Sequence, residues 1–200
     1  MPINENYLSR FDEGCYYHVY NRCPSLRKMF VHHNDYKFFF NRLQKYVLPY
    51  IDIFAYCLVP NHFHLFFRVK PKDQLPLRKN INRTLVNQFR RLFISYANMM
   101  NKTGDEHGQL FCTPFKRIEI DSDAYFTQIV FYIHYNPVHH QISKEPGNYK
   151  YSSFHAYTTS KPSVVNPQEV LEWFGGREPF LQYHLLHGES IQQLPFDIEY

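Results

Sequence analysis

The chain has 200 residues, 44% of them apolar and 18% aromatic, with a formal net charge of +4. That composition supplies one well-packed domain, or one domain with an appendage, and excludes a disordered or disulfide-stapled chain. No uncharged apolar run is long enough to span a bilayer, and the polar start (Pro2, Asn4, Glu5, Asn6) is no signal peptide, so a cytoplasmic protein without a membrane partner is expected.

Cys15, Cys23, Cys57 and Cys112 are scattered, with no C-x-x-C pair, and read as reduced thiols. "CYYHVYNRC" (15–23) is rich in aromatic and branched residues and predicts a first strand. Asn34 then caps a helix in which Phe39, Leu43, Tyr46 and Val47 recur at helical spacing, and Pro49 ends it. "IDIFAYCLV" (51–59) is apolar on both faces and predicts a central strand. Pro60-Asn61 suits a tight turn, so residues 62–69 return antiparallel.

From Leu77 to Met100 a long helix is expected, striped by Ile81, Leu85, Phe89, Leu92, Phe93 and Tyr96. Arg83, Asn87 and Arg90 lie off that stripe, with Arg78, Lys79 and Arg91 nearby. Residues 101–108 form a loop, and "QLFCTPFKRIEI" (109–120) predicts a fourth strand with Pro114 at an edge or bulge. Asp121 or Ser122 caps a further helix that runs to Asn136, where Pro137 stops it. The order β-α-β-β-α-β predicts an α+β, ferredoxin-like split βαβ domain with an antiparallel sheet, over residues 1–157. Residues 158–200 are expected to be a linker, "TTSKPSVVNP", followed by short helices near 168–174 and 179–187.

Within "VPNHFHLFFRV" (59–69), side chains alternate, so His62, His64, Phe66 and Arg68 face one way and Phe63, Leu65, Phe67 and Val69 the other. Two strand residues span roughly 6.6 Å, close enough for both imidazoles to turn onto one ion. A half-exposed strand in a chain with twelve histidines is the commoner explanation of such a pair. In "SDAYFTQIVFYIHYNPV", Phe126, Ile129, Val130 and Ile133 make an apolar stripe, while Tyr125, Gln128, Tyr132 and Asn136 share another face. Tyr132 and Asn136 are therefore neighbours one turn apart, a phenol beside an amide oxygen suited to a hard cation. Taken alone, Tyr132 is one of seventeen tyrosines, and Asn136 only precedes a helix-stopping proline.

"CYYHVYNR", "AYCLVPNHFHLFFRV", "YIHYNPVHH" and "YKYSSFHAY" follow in that order over residues 13–157. Together they resemble the IS200-type tyrosine transposases of the HUH superfamily, and within them the REP-associated branch. The resemblance implies the HUH endonuclease fold, His62 and His64 as ligands of Mg²⁺ or Mn²⁺, and Tyr132 as nucleophile on single-stranded DNA. It gives Asn136 the third-ligand position, which is Gln in many IS200/IS605 enzymes and Asn in the REP-associated branch. Arg68, Arg83, Arg90, Lys116 and Arg117 are candidate DNA contacts. Tyr16, Phe66 and Tyr135 are candidate stacking residues, and His18 lies near the site on the first strand. Pro114 stands where many relatives carry an arginine, and Cys23 where a glycine is usual.

The activity so implied is metal-dependent nicking and rejoining of single-stranded or hairpin DNA through a 5′-phosphotyrosine, by an enzyme working in the cytoplasm on the nucleoid. Whether one subunit or a homodimer builds the site is left open. Two other readings fit the same residues: a domesticated hairpin-binding protein that does not cut, and a metal-dependent nuclease that activates water.

Overall fold

The computed structural model describes residues 7–24, 27–76, 80–104, 107–159 and 163–188. Leu77, Arg78 and Lys79, expected to open the long helix, lie outside them, as do residues 160–162 of the expected linker and the end of the extension from residue 189. In chain order the elements are β1 (Tyr16–Arg22), α1 (His33–Tyr46), β2 (Ile51–Val59), β3 (His62–Val69), α2 (Ile81–Thr103), β4 (Lys116–Ile120) and α3 (Asp123–His139). Three short helices follow: α4 (Phe154–Thr158), α5 (Pro167–Phe174) and α6 (Arg177–Leu186). The four strands pair antiparallel in the order β2-β3-β1-β4, as a ferredoxin-like βαββαβ unit requires.

Helices cover both faces of this sheet, and that decides where the site lies. Phe63 and Phe67 point to one face, where they meet Phe39 of α1 and Phe89 and Phe93 of α2. His64 and Phe66 point to the other and meet Tyr132 and Phe126 of α3. Residues Phe63 to Phe67 are thus buried without a break. Each large apolar side chain so covered contributes on the order of 1.5–3 kcal/mol.

This layering corrects the sequence reading of β2, which is apolar on both faces yet lies at the sheet edge. Two-sided cover, not a central place, explains its composition. Its outer backbone is paired by the segment 149–157: Leu58 N–H donates to the Tyr151 carbonyl at 3.0 Å, and Ser153 N–H to the Tyr56 carbonyl at 2.9 Å. The Tyr149 hydroxyl donates to the Leu58 carbonyl at 2.6 Å, and the Tyr157 hydroxyl donates to the carbonyl of Phe54, where the register slips between Ile53 and Ala55. "YKYSSFHAY" is therefore an edge seal.

Other boundaries shift for local reasons. His32, not Asn34, caps α1, because the Asp35 carboxylate accepts from the N–H groups of Val31 and His32 at 2.8 and 2.7 Å. Asn80 caps α2 by accepting from Arg83 N–H at 2.9 Å, and the helix runs on to Thr103. β4 keeps only Lys116–Ile120, because Leu110, Phe111 and Phe115 turn inward as core residues instead of alternating. Pro137 does not stop α3; it sits in the last turn, and its carbonyl accepts from Ile142 and Ser143.

The extension packs onto the α3 face. Trp173 of α5 fits among Tyr16, Phe54, Phe66 and Phe126, with ring centroids 4.9–6.1 Å away. Tyr16 and Phe66 are thereby committed to packing, not open to stack bases. Val165, within the expected linker, is buried and bridges to Ile53 of β2. α6 closes over α3 through a chain of bonds between neutral groups. His184 Nδ1–H donates to the Phe180 carbonyl at 2.8 Å, so His184 Nε2 accepts, at 3.1 Å, from His134 Nδ1–H. His134 Nε2 then accepts from the Ser153 hydroxyl at 2.8 Å, whose oxygen takes Tyr56 N–H at 2.9 Å.

His184 cannot gain a proton on Nε2 without setting two N–H groups against each other. Burial pushes His184 down to about 4, helped by His187, and pushes His134 well below the usual histidine range. Between that value and the ordinary 6.5 the unfolded chain binds more protons, so stability is full above pH 6.5 and falls as pH drops toward 4. His184 alone accounts for about 3 kcal/mol of that loss. Urea midpoints measured from pH 7 to pH 4 should fall steeply, and a flat profile would contradict the neutral chain.

Candidate active site

β3 and α3 supply the parts. Alternation aims His62 and His64 at α3, and α3 returns Asn136 and Tyr132 from successive turns. His62 Nε2 lies 3.0 Å from Asn136 Oδ1, and His64 Nε2 lies 3.3 Å from Asn136 Nδ2. The Tyr132 ring stands edge-on to His64, centroids 5.3 Å apart at 89°. The four residues named from the sequence therefore converge within one chain.

His64 and Asn136 are buried, at 2% and 0% exposure, and Tyr132 at 4%. His62 is partly open and forms the mouth, beside His140 at 4.6 Å between ring centroids. The phenol is thus covered in this state, and a phosphate could reach it only after the mouth opens. Burial, then the neighbouring His62, His18 and His140, keeps His64 neutral, with a pKa well below the usual range.

His18 of β1 completes the cluster. It is fully buried, and its Nε2 lies 3.0 Å from His64 Nδ1. Because Asn136 offers an N–H to His64 Nε2, the proton of His64 sits on Nδ1 and is donated to His18. Desolvation pushes His18 down to about 3, so it stays a neutral acceptor. Tyr20, paired across the strands with His64, stacks on both rings at 5.7 and 5.0 Å. Arg22 sits exposed directly opposite His62, at the mouth.

His140 and Arg22 were missed as site residues, and His18 was placed only near the site. The row Tyr132, Asn136, His140 repeats every four residues and signals His140. Arg22 and His18 need the β1–β3 register, which no local pattern gives.

The basic candidates separate. Lys116 pairs with Tyr20 and shares the site face, its Nζ 4.6 Å from the Tyr7 ring and 5.7 Å from the Tyr20 ring. Arg117 points to the opposite face, donates to the Ser9 carbonyl at 2.6 Å and lies over Phe11 and Phe115. Arg68 is at the far end of β3, bonded to Glu169 at 2.9 Å and to Asp52 at 3.4 Å. Arg83 and Arg90 are exposed on α2, across the sheet from the histidines.

For a divalent ion the donor set is coherent. Bonds of about 2.1 Å at right angles separate neighbouring ligand atoms by about 3.0 Å, the spacing of His62 Nε2 and Asn136 Oδ1, while His64 Nε2 faces the Asn136 Nδ2–H that an ion would displace. Among the described residues no three His, Cys, Asp or Glu side chains form a group that could hold a metal ion; beside the two histidines the side-chain oxygen at hand is Asn136 Oδ1. Two imidazoles favour Mn²⁺ over Mg²⁺, which prefers all-oxygen ligation.

Fold and site together define the class: a ferredoxin-like α+β protein whose sheet carries an H-x-H pair under a helix bearing Y-x-x-x-N. The family described as "Transposase IS200 like" matches residues 12–136, and the chain belongs to it. A solved structure of a REP-associated tyrosine transposase bound to a REP hairpin superposes with a TM-score of 0.61 at 16% identity, covering 81% of this chain and 90% of that one. No curated protein matches the sequence. No described helix is long and apolar enough to cross a membrane.

Proposed function

We propose that the protein is a tyrosine transposase of the REP-associated type, which nicks and rejoins single-stranded DNA beside a hairpin through a covalent intermediate. The observation that carries this is the convergence of His62, His64 and Asn136 on one point, with Tyr132 one helical turn away. His62 Nε2, His64 Nε2 and Asn136 Oδ1 would hold the Mn²⁺ or Mg²⁺ ion, which when bound offsets negative charge on the scissile phosphate. Tyr132 Oη attacks phosphorus in line, the P–O3′ bond breaks, and the phenolic proton passes to solvent as the 3′-oxygen takes one up. A 5′-phosphotyrosine and a free 3′-hydroxyl result. Attack by another 3′-hydroxyl reverses the step and joins strands, since one phosphodiester is exchanged for another.

The residues around the site support orientation. By accepting from His64 Nδ1–H, His18 keeps the Nε2 lone pair pointed at the ion's position, as outer partners of metal-ligating histidines do. His18→Ala is expected to weaken Mn²⁺ binding about 10- to 100-fold by calorimetric titration, and His18→Gln, whose amide oxygen still accepts, to recover most of it. Equal affinities in both variants and the wild type would remove His18 from this role.

The deciding experiment is incubation with 3′-labelled hairpin DNA and Mn²⁺ followed by denaturing electrophoresis. A protein-linked band is expected; free 5′-phosphate ends without a linked species would instead mark a water-using nuclease. The 4% exposure of Tyr132 favours a second reading, hairpin binding without cutting. Retained hairpin affinity with neither band nor cleavage, at any Mn²⁺ concentration, would select it.

A further inference from the structure

A groove of ≈ 320 Å³ lies on the α1 face of the sheet edge, bounded by His33, Tyr36, Lys37, Asn41, Lys150 and Tyr151. His33, Lys37 and Asn41 recur every fourth residue and line one side of α1. Tyr151 stacks flat on Tyr36, centroids 3.3 Å apart at 3°, and its hydroxyl lies 3.1 Å from His33 Nδ1. Lys150 Nζ rests over the Tyr151 ring, 4.8 Å from its centroid, so this ammonium is held in place. Among the described residues neither lysine has a carboxylate partner. His33 is held below its ordinary pKa by lost hydration, then by Lys150 and Lys37.

The groove opens at the catalytic end of the sheet. The N–H groups of Met29 and Phe30, just before α1, both bond the Pro60 carbonyl of the turn preceding His62. Tyr151 pairs with Leu58, which pairs with Phe63, so the groove's edge lies about 10 Å from β3.

We propose that this groove is a second DNA contact, binding the phosphodiester backbone of a hairpin stem while the unpaired strand occupies the cleft under α3. The inference rests on the strand-transfer reading above. Cations with no acid to neutralise them select phosphate. Duplex fits better than single strand because the Tyr151 ring is already engaged, by Tyr36 stacked flat on it and by Lys150 at 4.8 Å, and so is a poor platform for an unpaired base. The groove is also on the opposite sheet face from Tyr132, so the DNA reaching it is what leaves the cleft, not what is being cut.

Fluorescence anisotropy with a hairpin oligonucleotide, and with a linear one containing the same unpaired segment, tests this. Lys37→Glu/Lys150→Glu should bind the hairpin at least about tenfold more weakly near 0.1 M salt, with a log K–log salt slope shallower by about 2. Its affinity for the linear DNA, and its Tyr132 adduct on that DNA, should match the wild type, and Lys37→Arg/Lys150→Arg should behave normally throughout. Unchanged hairpin affinity, or an equal loss on both DNAs, would overturn the proposal. A stem-selective loss in a protein that forms no adduct would uphold the groove while the strand-transfer reading falls.

Discussion

Tyr132→Phe should yield no denaturation-resistant protein–DNA species, a loss of at least about 10⁴-fold in the rate of linkage, while hairpin affinity stays at the wild-type level. The ring keeps its edge-on contact with His64, and removing one hydroxyl should change folding stability by no more than about 1 kcal/mol. Loss of linkage can then be assigned to chemistry. Because the phenol is covered at rest, linkage should also lag behind DNA binding in stopped-time assays of the wild type. Adduct of undiminished yield in Tyr132→Phe would move the nucleophile to another residue, and cleavage without adduct would move it to water.

The second large effect separates two histidines that share one proposed role. His62→Ala and His64→Ala should each lower Mn²⁺ affinity by at least about 100-fold in calorimetric titration, and abolish metal-stimulated linkage. Their stabilities should diverge. His64 is 2% exposed and bonded to both His18 and Asn136, so its removal leaves a cavity and two buried polar groups without their partner, a cost on the order of 3–5 kcal/mol. His62 stands at the mouth, and its loss should cost under about 1 kcal/mol. A His62→Ala protein that melts normally and still binds Mn²⁺ like the wild type would remove it from the ligand set.

Much of this architecture could be read from side-chain spacing. The alternation of "HFHLFF" and the fourfold spacing of Tyr132 and Asn136 are local properties, and both faces formed as read. What escaped were facts of cross-strand register and of layers. β2 was read as central because its two apolar faces look the same whether neighbours are strands or helices. Tyr16 and Phe66 could be read as platforms for bases or, more commonly for such aromatics, as packing residues, and Trp173, more than a hundred residues away in sequence, fills the space above them. Arg83 and Arg90 sit on the right kind of surface, but a helical wheel cannot say which side of a sheet its helix will cover.

The strip of chain laid along β2 governs how copies can meet. With Tyr151, Ser152, Ser153 and Val165 occupying that border, and Leu8 and Ser9 bridging to Arg117 along the short β4, neither flank of the described sheet offers a run of vacant amides. For two molecules to fuse their sheets into one continuous ribbon, these segments would first have to leave the borders they occupy. With those borders held in place, the surfaces left for pairing between copies are side chains on helices and loops, which keeps such pairing separable from folding.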